Sequence, residues 1–324
     1  MNGAPAVSPA ARPLSPNTAR SRDVVRRALL VGIEYRGTKN ELLGSANDVR
    51  LMREMLESRG FAAGSIVTMT EDAPTPDLIP TRANILAGLA WLVRDTLPGD
   101  ALVLHFSGHG DQAEAAKGFE FEEDGLDETI LPLDFDDAGE ITDNELHKML
   151  VQDLPKGVRL TAFFDCSHSG SILDLPYSYL PDGRSKKPST FSALRSIAKS
   201  TADQAKTGNF KDAVVGGFKR SLDRIKAGSK AEDSSRIYSN GRFDTDVILL
   251  AACKESQMSA DMTLEDGTHS GAFTFALTRA LQEYPKPTLG KLLQATRDNL
   301  FGFEQIPQLC SSRALDMNQP FELV

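Results

Sequence analysis

The chain has 324 residues, with 40% hydrophobic and 25% charged residues and a formal net charge of −9. That is the profile of a folded domain with a sizeable core, and the acid excess argues against nucleic acid as a default partner. The longest apolar run, Val247–Cys253, is seven residues, too short to cross a bilayer, and no N-terminal apolar stretch marks a secretory signal.

Residues 1 to 25 are rich in Ala, Pro, Ser and Arg and read as a disordered tail. Arg27–Ile33 is a continuous apolar run, expected for a strand buried on both faces. Asn47–Arg59 follows as a helix, with Val49, Met52, Met55 and Leu56 at helical spacing and Gly60 ending it. Ser65–Thr70 reads as a strand, Thr81–Val93 as a helix and Ala101–Phe106 as another buried strand. This β-α-β-α-β order implies a parallel sheet with helices on both faces.

Asp111–Glu145 holds fourteen Asp/Glu and one Lys, and few helix or strand signals. A short helix is expected over Glu140–Leu150 and a strand over Val158–Asp165. Residues 178–243 are basic and rich in Ser, Gly and Lys, and read as a partly mobile surface insertion within one domain spanning 26–324. Asp246–Ala252 returns to the sheet, Ala272–Gln282 and Leu289–Phe301 are helices, and Gln319–Leu323 reads as a last edge strand. Three cysteines, Cys166, Cys253 and Cys310, are too few for a disulfide framework and point to a reducing compartment, cytoplasmic or nuclear. Cys253 and Cys310 sit in apolar contexts and read as core packing.

In open α/β sheets, sites form beyond the carboxyl ends of the strands. Two strands here run into small-residue turns, His105-Phe106-Ser107-Gly108-His109-Gly110 and Asp165-Cys166-Ser167-His168-Ser169-Gly170. A base on one turn and a nucleophile on the other is the arrangement that nucleophilic catalysis requires.

These turns, with RALLVGIEY, LLGSANDV, PTRANI, WLVRD, GVRLTAFFD, HSGSILDLPY, QMSAD and QIPQL, resemble the type I metacaspases, caspase-like cysteine peptidases. The resemblance spans roughly residues 27–324 and implies a caspase-like α/β/α sandwich with a mostly parallel central sheet. It also implies calcium-dependent endopeptidase activity after Arg or Lys, with protein or peptide substrates, no organic cofactor and a monomer. His109 matches the catalytic histidine; His105, inside its strand, reads as structural. At the nucleophile the chain departs from the pattern: the family's cysteine position is Ser167, and a cysteine stands one place earlier, at Cys166. Adjacent strand residues point to opposite faces, so Cys166 is expected to face the core, unless the turn is shifted by one residue, in which case Cys166 is the alternative catalytic nucleophile beside Ser167. The alternative reading is a catalytically impaired pseudo-peptidase that binds basic peptides or regulates an active paralogue. An unrelated α/β hydrolase using Ser167 is disfavoured, since the G-x-S-x-G elbow is missing.

By the same resemblance, Asp48 and Asp165 form the acidic floor of the pocket for the residue before the cleaved bond, and Ser45 and Ser107 line it. A first-turn Asp is also commonplace at helix N-termini, which is the plainer account of Asp48. Asp127, Asp143, Asn144 and Asp174 correspond to calcium ligands. Asn144 replaces a usual Asp, so binding should be weak. Glu120, Glu122, Glu123, Asp136 and Asp137 read as solvated surface. Lys186, Lys187, Lys219, Arg220 and Lys230 are candidate self-processing positions, though a solvated basic loop is the simpler reading.

Overall fold

A computed structural model describes residues 23–114, 126–186, 245–253 and 260–323. The tail to residue 22 and most of the basic insertion, with four of its five candidate processing positions, lie outside these described residues.

The central sheet has the strand order β2-β1-β3-β7-β10-β13-β8-β9. Its parallel part comprises β1 (Arg26–Gly32), β2 (Ile66–Met69), β3 (Ala101–Ser107), β7 (Arg159–Asp165) and β10 (Asp246–Ala251). Antiparallel β13 (Gln308–Ser311) follows, then β8 (Tyr177–Tyr179) and β9 (Ser185–Lys186). Side-chain parity divides the core into two layers. Leu29, Val31, Leu102, Leu104, Leu160, Ala162 and Phe164 face one way, onto α2 (Arg82–Val93) and α4 (Asp143–His147). Ala28, Leu30, Val103, Phe163, Ile248 and Leu250 face the other way, onto α1 (Ser45–Ser58), α5 (Ala272–Glu283) and α6 (Leu289–Asn299). The result is an α/β/α sandwich.

Several elements differ from the sequence reading. The acidic stretch carries a small antiparallel sheet, β4 (Gly110–Glu114), β5 (Leu126–Ile130) and β6 (Ile141–Thr142), with the one-turn helix α3 (Phe135–Ala138) between β5 and β6. The helix expected from Glu140 begins at Asp143, because Thr142 and Glu145 form a capping box there; it continues as a π-turn over Lys148–Gln152. The insertion expected from residue 178 starts later, since β8 and β9 belong to the central sheet. Gln319–Leu323 is not a strand. Phe321 and Leu323 plug the α5–α6 layer, and pairing there is confined to an isolated bridge between Thr288 and Pro320, where proline has no N–H to extend a ladder.

Candidate active site

β3 and β7 pair in parallel with Ser107 opposite Asp165. His109 and Ser167 each stand two residues beyond that pair, so the register alone brings their loops together. The loops touch closely: a Cβ on Gly110 would lie 2.2 Å from the Ser167 carbonyl oxygen. The turn after Ser167 is sharp, with His168 in the left-handed region at φ 57°.

Parity decides what each strand end presents. His105, Ser107 and Asp165 share a face with Val103 and Phe163, toward α1 and α5. Cys166 shares the face of Phe164 and lies in the opposite core layer, 1% exposed. Burial, and then the nearby Cys253 and Asp165, push its thiol well above the usual range. That is the reverse of what a nucleophilic cysteine needs. Cys253 and Cys310 are buried free thiols bonded to the carbonyls of Cys166 and Gly170, packed beneath the same turn.

His109 is held by its neighbours. Its Nε2 lies 2.7 Å from the Asn40 carbonyl oxygen. A carbonyl only accepts, so Nε2 carries the hydrogen and Nδ1 of the neutral ring is the free base. The His109 backbone N–H donates to the Tyr35 hydroxyl, and the two rings lie 4.7 Å apart.

Asp48 and Asp165 meet around Gly271, where a Cβ would lie 2.7 Å and 2.2 Å from their respective Oδ2 atoms. Ser107, Ser270 and the Gly271 N–H all donate to Asp48, so this carboxylate ties α1 to β3 and to β12 (His269–Gly271), the partner of β11 (Asp261–Thr263), instead of capping its own helix. Asp165 accepts from the backbone N–H and hydroxyl of Thr274, in the first turn of α5, where the helix dipole favours an anion. Both aspartates are buried, at 0% and 4% exposure, and burial followed by the neighbouring Asp165 raises the Asp48 carboxyl well above its ordinary range. Ser45 is buried one turn before Asp48. His105 reaches the same network through Thr274 Oγ1 at 3.2 Å, and burial lowers its imidazole to about 3, so it is neutral and structural.

Gly271 has an ordinary φ of −61°, so space and not conformation demands glycine there. Gly271→Ala should destabilise the fold by about 2 kcal/mol or more. A denaturant midpoint equal to that of the parent would contradict this packing.

The four candidate calcium ligands lie in one region of the chain. Asp127 is on β5, which pairs with β6 immediately before Asp143 and Asn144 on α4. The Asp174 loop is drawn to α4 by His147 Nδ1, 2.8 Å from the Leu173 carbonyl oxygen. Asp174 itself adopts a left-handed φ of 50°. Among the described residues, no group of three or more His, Cys, Asp or Glu side chains gathers closely enough to hold a metal ion.

Comparison with known proteins bears on this arrangement. The family model described as metacaspase, peptidase C14 domain, matches residues 26–176. Metacaspase-1 of Mycosarcoma maydis is 42% identical over 297 residues, covering 91% of this chain and 72% of the relative. The chain belongs to the metacaspase family. Metacaspase-1 of Saccharomyces cerevisiae is 38% identical over 299 residues, covering 91% of this chain and 68% of the relative. Metacaspase-1 of Candida albicans is 40% identical over 306 residues, covering 91% and 67%. A crystal structure of a Geobacter sulfurreducens protein superposes with a TM-score of 0.55 at 22% identity, covering 91% of this metacaspase and 97% of that chain, and so shares its fold. The sandwich is therefore a caspase-like scaffold, and the family is that of caspase-like peptidases.

Sequence reasoning missed the residues that complete this metacaspase's site from a distance. Asn40 and Tyr35 reach His109, while Ser270, Gly271 and Thr274 enclose the aspartates from more than a hundred residues away. The local signals were Tyr35 at the end of RALLVGIEY and the small-residue run Ser270-Gly271-Ala272, which reads equally well as an ordinary helix start.

Proposed function

We propose that this metacaspase scaffold is built for endopeptidase cleavage after Arg or Lys, and that Ser167 leaves the present chain catalytically impaired. One observation carries the reading: two buried carboxylates, Asp48 and Asp165, lie side by side beneath the His109 and Ser167 loops. Among the described residues every donor to Asp48 is neutral. An arginine or lysine side chain reaching this pair would supply the counter-charge, and a guanidinium matches carboxylates in geometry as well. His109 Nδ1 would take the nucleophile's proton and return it to the leaving amine. A serine hydroxyl at 167 is far less acidic than a thiol, so a free Nδ1 generates little nucleophile. Matched peptides ending in Arg, Lys or Asp, given to a Ser167→Cys variant, test the proposal. Cleavage after Arg and Lys supports it; cleavage after Asp, or none, removes it. In the unmodified chain the same pocket would bind basic peptides without cutting them, which is the pseudo-peptidase reading.

Calcium belongs to the same proposal. The carboxylates of Asp127, Asp143 and Asp174 with the amide oxygen of Asn144 would supply all-oxygen donors, the chemistry that hard cations require, although these carboxylates are not gathered into one group in this structure. A bound calcium ion would supply positive charge to offset these carboxylates on β5, α4 and the Asp174 loop. The neutral Asn144 predicts weak binding. Calorimetry should show binding only near millimolar calcium, and Asn144→Asp should tighten it by about tenfold. No heat at millimolar calcium in either protein would overturn the assignment.

A reducing cytoplasmic or nuclear setting suits the three buried free thiols. A monomer suits the sheet edges, where short β2 closes one side and the β8–β9 hairpin covers β13 on the other.

A further inference from the structure

We propose that Tyr35 is the positioning residue of His109, fixing the tautomer and direction of its imidazole, and that Glu71 holds Tyr35 in place for this task; the proposal rests on reading His109 as the catalytic base. Tyr35 stands three residues beyond the end of β1 and is 1% exposed. It reaches His109 by three routes. Its hydroxyl accepts the His109 backbone N–H at 3.0 Å and donates to the Leu131 carbonyl at 2.6 Å, bridging the histidine loop to the segment after β5. Its ring packs 4.7 Å from the imidazole. Its own carbonyl accepts from the backbone N–H and the hydroxyl of Thr38, starting the turn that carries Asn40, whose carbonyl takes His109 Nε2. One residue therefore sets the main chain, the ring face and the acceptor that selects the tautomer. Gly108 leaves room for this, since a Cβ there would sit 3.0 Å from the Tyr35 hydroxyl.

The arrangement is held against a backbone cost. Tyr35 adopts a left-handed φ of 51°, an uncommon state for a bulky residue. Successive N–H groups of Glu34, Tyr35 and Arg36 converge on the Glu71 carboxylate at 2.7, 2.6 and 3.2 Å. Such a convergent set of amides is an anion-binding nest, here filled by the protein's own side chain from the loop after β2. Burial raises the phenol above its usual range, so the hydroxyl keeps the proton it gives to Leu131.

A Tyr35→Phe variant tests this, because it keeps the ring and removes only the hydroxyl. In the unmodified chain, long-range proton–nitrogen correlation NMR of the five histidines reads the His109 tautomer without any substrate. The parent should show the Nε2–H form alone, and Tyr35→Phe should mix the two tautomers. In a Ser167→Cys background, Tyr35→Phe should lower kcat by about 10- to 100-fold with KM little changed. Tyr179→Phe is the control: it loses a comparable hydroxyl bond, to the Leu315 N–H at the far side of the sheet, and should change neither readout. If Tyr35→Phe fails to fold, Glu71→Gln weakens the same support with the hydroxyl intact and should give the same signature in smaller measure. Unchanged His109 tautomer and kcat in the folded variant, or equal effects from Tyr179→Phe, would overturn the proposal. An inert Ser167→Cys protein would count against the peptidase reading, while the NMR comparison would still decide the role of Tyr35.

Discussion

Replacing Ser167 by cysteine is expected to raise hydrolysis of an Arg-terminated fluorogenic peptide by about 10³-fold or more. The reason lies in the geometry around residue 167. The His109 ring has its Nε2–H committed to the Asn40 carbonyl, which leaves Nδ1 as the base. A thiol with an ordinary value near 8.5 gives such a base an appreciable thiolate at neutral pH, whereas a hydroxyl does not. Cys166 offers no substitute. It is packed in the core with Phe164, and burial holds its thiol protonated. A Cys166→Ser change in the S167C background should therefore leave kcat within about twofold, apart from any cost in stability. Equal hydrolysis by the unmodified chain and by S167C would mean that Ser167 is activated by some route other than the one argued here.

The second large effect is expected at Asp48. Asp48→Asn in the S167C background should lower kcat/KM for Arg substrates roughly 100-fold, because one charge of a buried pair is lost where a cation must be desolvated. The sign of the pH dependence follows from the raised carboxyl. In the free protein, burial and then Asp165 favour the protonated form of Asp48. The folded state binds this proton more tightly than the unfolded chain does, so Asp48's contribution to stability falls as pH rises from the ordinary carboxylate range through the raised value. A cationic side chain in the pocket favours the ionised form and expels the proton. Affinity for an Arg-terminated peptide should therefore increase with pH across that window. Calorimetry in two buffers of different ionisation enthalpy would read the released proton. Asp48→Asn should abolish the release, and a pH-independent affinity in the parent would contradict the account.

Strand ends proved easier to read from sequence than the elements that close over them. Arg27–Ile33, Ala101–Phe106 and Val158–Asp165 lie within two residues of their observed limits, because strands buried on both faces write themselves as apolar runs. The same parity placed Cys166 toward the core. The acidic stretch hid β4, β5 and β6, since Asp127, Glu128 and Thr129 are polar residues buried in a small sheet, and the charge count outweighs so short an alternation. The strand Gln308–Ser311 was equally faint: Gln308 and Ser311 are polar at both ends yet buried. The pocket shows the same limit. Asp48, Ser107 and Asp165 were grouped by the family resemblance, whereas Ser270 and Gly271 reach Asp48 across 222 and 223 residues, a proximity created by the packing of α5 and β12 against α1.

The most direct test of the central claim is intact-mass analysis after incubation with an Arg-terminated peptide carrying a thiol-reactive electrophile. The S167C chain should gain one adduct, mapped to residue 167, which an Asp-terminated analogue forms far more slowly and which Asp48→Asn suppresses. The unmodified chain should gain none. An adduct on Cys166, or labelling indifferent to Arg against Asp, would contradict both the assignment of the nucleophile position and the reading of the acidic pair.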